Sequence, residues 1–271
     1  MLASPWIAGL FALFVWWFST GAILWAVMRT DQSAGAAHGW GLFLATPVLA
    51  LGIAGLSLTL ADTTVLGAYI AFVSALAIWG WVELSFLSGV ITGPNREVCP
   101  PDAEPWDRFL RAWGTIAHHE TLLAASLAAI AWASIGALNQ IAVLTFGVLF
   151  FARVSAKLNL FFGVPKINIE FLPRPLAHLP SHFRYARLNW VFPVSVTVLA
   201  FAVFFWVGRA TSAITQGDKV GFALLAALTA LALLEHWLMV LPLPDEKLWR
   251  WLVATPKPNK KTLLSEDTHG L

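Results

Sequence analysis

The sequence predicts an all-α integral membrane protein, built as a bundle of seven transmembrane helices. Of its 271 residues, 58% are hydrophobic and only 12% are charged, whereas soluble domains carry roughly 25% charged residues. Seven apolar segments are each long enough to cross the roughly 30 Å hydrocarbon core of a bilayer, which takes about 20 helical residues. Lysine and arginine are concentrated in alternate connections, as expected for a chain that crosses a membrane repeatedly.

The predicted spans are joined by connections of very different length. Only Asn139 and Gln140 separate the fourth span from the fifth, and a connection this short joins antiparallel neighbours. The first apolar run has no basic residue before it and is longer than the apolar core of a signal peptide, so we interpret it as a retained span. The seven spans cover residues 5–28, 40–60, 65–91, 118–138, 140–163, 188–208 and 219–243.

The basic residues predict how the bundle is oriented. An odd number of spans places the two termini on opposite faces, and one face then carries only Arg209 and Lys219 while the other carries thirteen cations. Because lysine and arginine are in excess on the cytoplasmic side, we expect a periplasmic N-terminus and a cytoplasmic C-terminus. The net charge of +2 and the lack of a basic stripe with interleaved aromatic residues argue against a nucleic-acid partner.

The cytoplasmic connections contain two amphipathic segments. Aromatic and aliphatic residues recur at helical spacing near 105–116, so we expect an interfacial helix that runs into the fourth span, and we expect a second one near 245–254. Residues 1–254 would thus form the membrane domain and 255–271 a mobile cytoplasmic tail. The connection 164–187 contains four prolines and is predicted to be irregular and packed on the membrane surface.

Ionisable residues of four predicted spans fall at one depth, in the cytoplasmic half of the membrane. Arg153 and Lys157 are four residues apart and therefore share one helix face, and a cation at this depth needs a partner or water. With a rise of about 1.5 Å per residue, acids and histidines of the other spans reach the same level. The members of this polar layer are Glu83, His118, His119, Glu120, Arg153, Lys157, Asn159, Glu235 and His236.

Three interpretations of the polar layer stay open. The first is charge neutralisation, in which the two cations pair with two of the three acids and fix helix packing. The second is a metal site, because mixed N and O ligands suit iron, manganese or zinc, although the Glu-x-x-His spacing of di-iron bundles is absent. Its candidate ligands are His119, Glu120, Glu83 and His236. The third is tetrapyrrole ligation by His118 or His236, each of which follows a small residue, Gly114 or Ala232, by four positions.

Four blocks of the sequence also resemble a known family. They are WVELSFLSGVITGPN, HHE, RVSAKLNLFFGVP and EFLPRPLAHLPSHF, in this order along the chain. Together they are similar to the PuhE family, photosynthetic complex assembly proteins of purple phototrophic bacteria. The resemblance implies a multi-pass protein of the bacterial inner (intracytoplasmic) membrane that acts in forming reaction-centre and light-harvesting complexes. Its partners would be membrane lipids and subunits of those complexes, its ligand bacteriochlorophyll or a precursor, and it has no assigned catalytic residues.

Two other functions remain as alternatives to an assembly factor. A membrane enzyme of tetrapyrrole or quinone metabolism would use the histidines and glutamates of the polar layer as its site. A transporter would use Glu83 and Glu235 as proton carriers, but the sequence lacks the internal repeats that many transporters have.

Overall fold

The computed structural model describes residues 1–31, 37–170 and 172–242, and these residues form helices and connections without a β-strand. The expected helix near 245–254 and the tail 255–271 lie outside the described residues. The α-helices are α1 (Pro5–Asp31), α2 (Ala37–Thr59), α3 (Val65–Leu87), α4 (Pro105–Ala133), α5 (Ile141–Phe162), α6 (Val191–Ser212) and α7 (Gln216–Leu238).

Six of these helices, all except α4, are long and apolar enough to cross a membrane. Helix length and composition therefore support a helical protein that crosses the membrane several times. The helix α4 is longer than the others, but its first half carries charged residues and histidines, so its crossing stays a prediction, as does the orientation of the termini. The amphipathic segment near 105–116 and the fourth span form one continuous helix that starts at Pro105, a residue type that favours the first position of a helix.

The core of the bundle lies between α3, α5 and α7. About half of the apolar window of α3 and of α7 is buried (50% and 56%), but only 17% of the windows of α1 and α2. Phe72, Phe146 and Leu224, one from each central helix, are completely buried. The peripheral helices α1, α2 and α6 consequently turn most of their apolar surface outwards, which is the arrangement that contact with lipid tails requires.

The connections between the helices gather at two opposite ends of the bundle. At one end the Asn139 side chain donates to the backbone carbonyl of Asp62, at 2.8 Å. At the other end, called here the basic end, the connections after α3 and after α5 meet, and the amide of Cys99 donates to Ser181 Oγ at 2.9 Å. The helices therefore alternate in direction, as the short connections in the sequence predict.

The connection after α5 packs on the basic end of the bundle. It contains two turns of 3-10 helix, Arg174–Leu176 and Leu179–His182. The side chains of Leu176 and Leu179 are buried and form a small apolar cluster with Phe86 at the end of α3. This segment thereby closes the basic end directly beyond the level of the polar layer.

Candidate functional site

The first ion pair of the polar layer joins α3 to α5. Glu83 lies four residues before the end of α3 and is only 7% exposed. Arg153 of α5 donates through Nη2 to Glu83 Oε2 at 3.1 Å. A carboxylate buried at this depth is costly unless a cation and hydrogen bonds compensate it, so this contact explains why both residues are tolerated in apolar helices.

The second ion pair joins α5 to α4. The Lys157 ammonium group donates to Glu120 Oε1 and also lies over the ring of Phe86, 5.5 Å from its centre. Because Arg153 and Lys157 are one helical turn apart, α5 reaches two different helices from one face. In the structure, the two cations thus pair with two of the three acids, Glu83 and Glu120.

His119 lies between the two ion pairs. Its side chain is completely buried, and its Nε2 atom is 3.8 Å from Glu83 Oε1 and 3.9 Å from Glu120 Oε1. These distances exceed those of a hydrogen bond, and neither ring nitrogen has a hydrogen-bond partner. The ring packs against Phe86 with 4.4 Å between the centres and a tilt of 33° between the planes. His119 Nε2 thus lies nearly equidistant from two carboxylate oxygens, of which Glu120 Oε1 already accepts from Lys157.

The segment TGPN, residues 92–95, fixes the position of α4. The His119 amide donates to the carbonyl of Thr92 at 2.9 Å, and the Asn95 amide donates to the carbonyl of Gly114 at 3.0 Å. Gly93 approaches α4 so closely that a Cβ atom there would lie 2.0 Å from the Gly114 carbonyl oxygen. Only glycine allows this approach. Sequence reasoning assigned these residues no role, although adjacent glycine and proline are a common turn signal.

Asn159 is not hydrogen-bonded to the two ion pairs of the polar layer. Its side-chain nitrogen donates to Ser195 Oγ of α6 at 2.9 Å, and its carbonyl oxygen accepts from the side chain of Asn189 at 3.1 Å. Asn189 also accepts hydrogen bonds from the first amides of α6. Asn159 therefore belongs to a second, fully hydrogen-bonded cluster that holds α5 against α6.

His236 is also engaged in helix packing. Its Nδ1 atom lies 2.8 Å from the carbonyl of Ala232, which can only accept, so Nδ1 carries the proton. Its Nε2 atom accepts from Ser155 Oγ at 2.9 Å, and the side chain is 1% exposed. Both ring nitrogens are hydrogen-bonded and the ring is buried, so His236 has no free lone pair with which to ligate a tetrapyrrole.

Glu235 and His118 lie at the surface of the helices. Glu235 is exposed and accepts a hydrogen bond from the Trp16 indole of α1, at 3.0 Å. His118 is exposed on α4, one turn after Gly114. Within the described ranges, no group of three or more histidine, cysteine or acidic side chains is arranged to hold a metal ion. The metal interpretation therefore has no support in this part of the chain.

Comparison with known proteins identifies a family and a relative of this chain. A sequence profile named DUF3623, described as a protein of unknown function, matches residues 2–260. The chain belongs to the DUF3623 family. A protein of Rhodobacter capsulatus, described as an uncharacterised 30.4 kDa protein in the puhA 5′ region, is 53% identical over 263 residues, covering 96% of this chain and 95% of the relative. No solved structure matches the chain. The DUF3623 match includes every member of the polar layer, and the finer assignment to PuhE stays a prediction.

Proposed function

We propose that this DUF3623 protein is an assembly factor for photosynthetic reaction-centre and light-harvesting complexes, acting in the bacterial inner (intracytoplasmic) membrane. The observation that carries the proposal is the 53% identical relative, whose description assigns it to the puhA 5′ region. That region hints at a role in photosynthesis. The similarity extends over nearly the whole of both chains, and we extend this role to the present chain.

The geometry of the helices supports a docking role. The polar layer ties α3, α4 and α5 together, and its carboxylates Glu83 and Glu120 are each less than one tenth exposed. A closed, paired interior gives a stiff scaffold. The outer helices α1, α2 and α6 present apolar surfaces on which the spans of a membrane partner could pack.

Binding of bacteriochlorophyll or a precursor would fit this role, with His118 as the ligand. A neutral imidazole at the protein surface can ligate the central magnesium of such a pigment, and the small residue Gly114 one turn earlier leaves room for the macrocycle. Of the two histidines with this spacing, His118 is the one that is exposed. His236 is buried and hydrogen-bonded through both nitrogens.

An enzyme of tetrapyrrole or quinone metabolism remains the second candidate. It is favoured by one observation, the buried His119 ring whose two nitrogens lack partners although two carboxylates lie nearby. Unpartnered buried polar groups call for an explanation, and a reacting or bound molecule is one. Conversion of a pigment precursor or a quinone by purified protein, lost in His119→Gln, would favour this candidate.

A deletion strain tests the assembly role. We expect the deletion to lower the amounts of reaction-centre and light-harvesting complexes, measured by absorption of isolated membranes, while their transcripts keep normal levels. The wild-type gene and the surface variant Arg209→Ala should both restore the complexes. Normal complex levels in the deletion strain would refute the proposal, and accumulation of a pigment precursor would point to the enzyme instead.

A further inference from the structure

Residues 172–183, called here the lid, lie across the basic end of the bundle. The lid contains two short turns of 3-10 helix, of three and four residues, and such turns have poorer hydrogen-bond geometry than an α-helix. Its two buried leucines pack on Phe86. Phe86 also packs against the His119 ring, and the Lys157 ammonium group lies over it. The lid therefore covers a side chain that itself contacts the polar layer.

Two hydrogen bonds fasten the second turn of the lid to the neighbouring elements. The Cys99 amide, in the connection after α3, donates to Ser181 Oγ at 2.9 Å. Arg108 of α4 donates through Nη2 to the carbonyl oxygen of His182 at 2.8 Å. Both attachments thus lie at His182 or at the residue before it, so a displacement of His182 acts directly on the attachment of the lid.

Two histidines of the lid are buried, and one ring nitrogen of each has no partner. His178 and His182 are 8% and 3% exposed, and neither Nε2 atom has a hydrogen-bond partner among the described residues. His182 Nδ1 lies 3.3 Å from the His178 carbonyl oxygen, which can only accept, so Nδ1 carries the proton of the neutral ring. A second proton, on Nε2, would place a charged donor in a buried site without an acceptor.

The charges around the two histidines also oppose protonation. Among the described residues, the charged side chains that act on them through space are the arginines Arg96, Arg108 and Arg111. Arg111 is itself paired with Asp107, at 2.7 Å between Nε and Oδ2. The two imidazoles also lie near each other, with 6.4 Å between the ring centres. Burial is the main cause that lowers the pKa values of both histidines, and the arginines lower them further.

We propose that residues 172–183 form a pH-sensitive lid, which is closed while His178 and His182 are neutral and opens when they are protonated. In the open state the imidazolium groups reach water and leave the arginines, so protonation favours opening. The opening begins as the pH falls below about 6.5, the ordinary pKa of histidine. It uncovers Phe86 and, beside Phe86, the polar layer.

The single cysteine of the chain reports the opening of the lid. Cys99 is 7% exposed and is bonded to the lid through its amide. Full-length protein in detergent is treated with a dipyridyl disulfide, which reacts with thiols in acid as well as at neutral pH, at about pH 7.5 and at about pH 5.5. The rate at each pH is divided by the rate for the unfolded protein. This ratio measures how often the lid is open.

We expect the ratio to rise about tenfold in acid for the wild type, because a solvated imidazole at about pH 5.5 is about tenfold more often protonated than neutral. The double variant His178→Gln/His182→Gln should show no rise, since glutamine does not titrate. Arg209→Gln, which changes an exposed side chain at the other end of the bundle, is the control and should behave as the wild type.

Arg96→Gln separates electrostatics from a purely structural role. It removes the cation that acts on His178 and keeps both histidines, so protonation costs less in the closed state and the rise in acid should be smaller. Equal ratios at the two pH values in the wild type would overturn the inference. A rise of wild-type size in the double variant would do the same, or in Arg96→Gln where the double variant does not fold.

Hydrogen exchange distinguishes opening of the lid from unfolding of the whole bundle. In acid, the Phe183 amide, which donates to the Pro180 carbonyl, should lose protection relative to the unfolded chain, while the amides of α7 stay protected. Loss of protection in α7 in step with the lid would overturn the inference. The lid is independent of the assembly role. Normal complexes in the deletion strain would leave the lid standing, and a lid that does not respond to pH would leave the assembly role standing.

Discussion

Arg153 and Glu83 are 70 positions apart in the sequence, and a 3.1 Å contact between Nη2 and Oε2 joins them inside the bundle. The carboxylate is nearly inaccessible, with 9% of its side chain exposed, while 38% of the arginine side chain is exposed. The pair is therefore asymmetric. Loss of the cation leaves a buried charge without compensation, whereas loss of the acid leaves a cation that is only partly buried.

The variant Arg153→Ala should destabilise the protein by about 3 kcal/mol, because it leaves the Glu83 carboxylate buried and unpaired. The matched variant Arg209→Ala removes an exposed guanidinium that lies over the ring of Phe222, 4.9 Å from its centre, and should cost no more than about 1 kcal/mol. Thermal unfolding in detergent measures both. Adding Glu83→Gln to Arg153→Ala should restore part of the loss, and equal melting temperatures of the two arginine variants would contradict a buried ion pair.

The close approach of Gly93 to α4 gives a second prediction. Gly93→Ala would place a Cβ atom 2.0 Å from the Gly114 carbonyl oxygen, so α4 must move, at a cost near the upper end of about 1–3 kcal/mol for overpacking. Gly147→Ala is the control, because a Cβ atom at residue 147 meets nothing within 4 Å. Yield of folded protein and melting temperature should fall for Gly93→Ala only. Similar values for both variants would show that the TGPN segment does not hold α4.

The histidines of the connection after α5 predict a loss of stability in acid. Burial lowers the pKa of His178, with a further contribution from Arg96, and burial also lowers the pKa of His182, to which Arg108 and Arg111 contribute. The unfolded chain, whose histidines titrate near 6.5, then binds protons more readily than the folded protein. The contribution of these neutral histidines to the free energy of unfolding is complete above about pH 6.5. It is lost as the pH falls below 6.5 towards the lowered pKa values of the folded protein.

The measurement compares unfolding at about pH 7.5 and at about pH 5.5. The melting temperature of the wild type should fall more between these conditions than that of the double variant His178→Gln/His182→Gln, because the variant has no imidazoles to protonate at these positions. Carboxylates elsewhere titrate in both proteins and cancel in the comparison. Parallel decreases in the two proteins would mean that these histidines titrate alike in the folded and unfolded states.

The pigment hypothesis gives a prediction that separates two histidines. If bacteriochlorophyll or a precursor binds at His118, the absorption spectrum of gently purified protein should contain a pigment band, and His118→Ala should weaken that band strongly. Ser155→Ala, which removes the hydroxyl bonded to His236 Nε2, should leave the band intact. A band that survives His118→Ala but is lost in Ser155→Ala would place the pigment near His236, contrary to this reading.

The sequence alone determined most of the helices and the level of the polar residues along each helix. A chain segment in lipid must satisfy its backbone hydrogen bonds internally, so long apolar runs can only become helices, and counting residues along each helix gives the level of its charges. This is why the predicted fifth span agrees closely with α5 and the third span with the start of α3, and why Arg153 and Lys157 were expected to meet acids. The boundary errors fall at the ends of the third and seventh spans, which were predicted to reach residues 91 and 243, whereas α3 ends at Leu87 and α7 at Leu238.

Only the tertiary structure decided which neighbours meet at that depth. Three acids share one level, but Glu83 and Glu120 face α5 whereas Glu235 turns outwards to Trp16. The adjacent His118 and His119 point about 100° apart on a helix, and the docking of TGPN on α4 sets which of them is buried. Sequence spacing fixes position along a helix axis, but rotation about that axis and the choice of neighbour follow from contacts between helices that are distant in the chain.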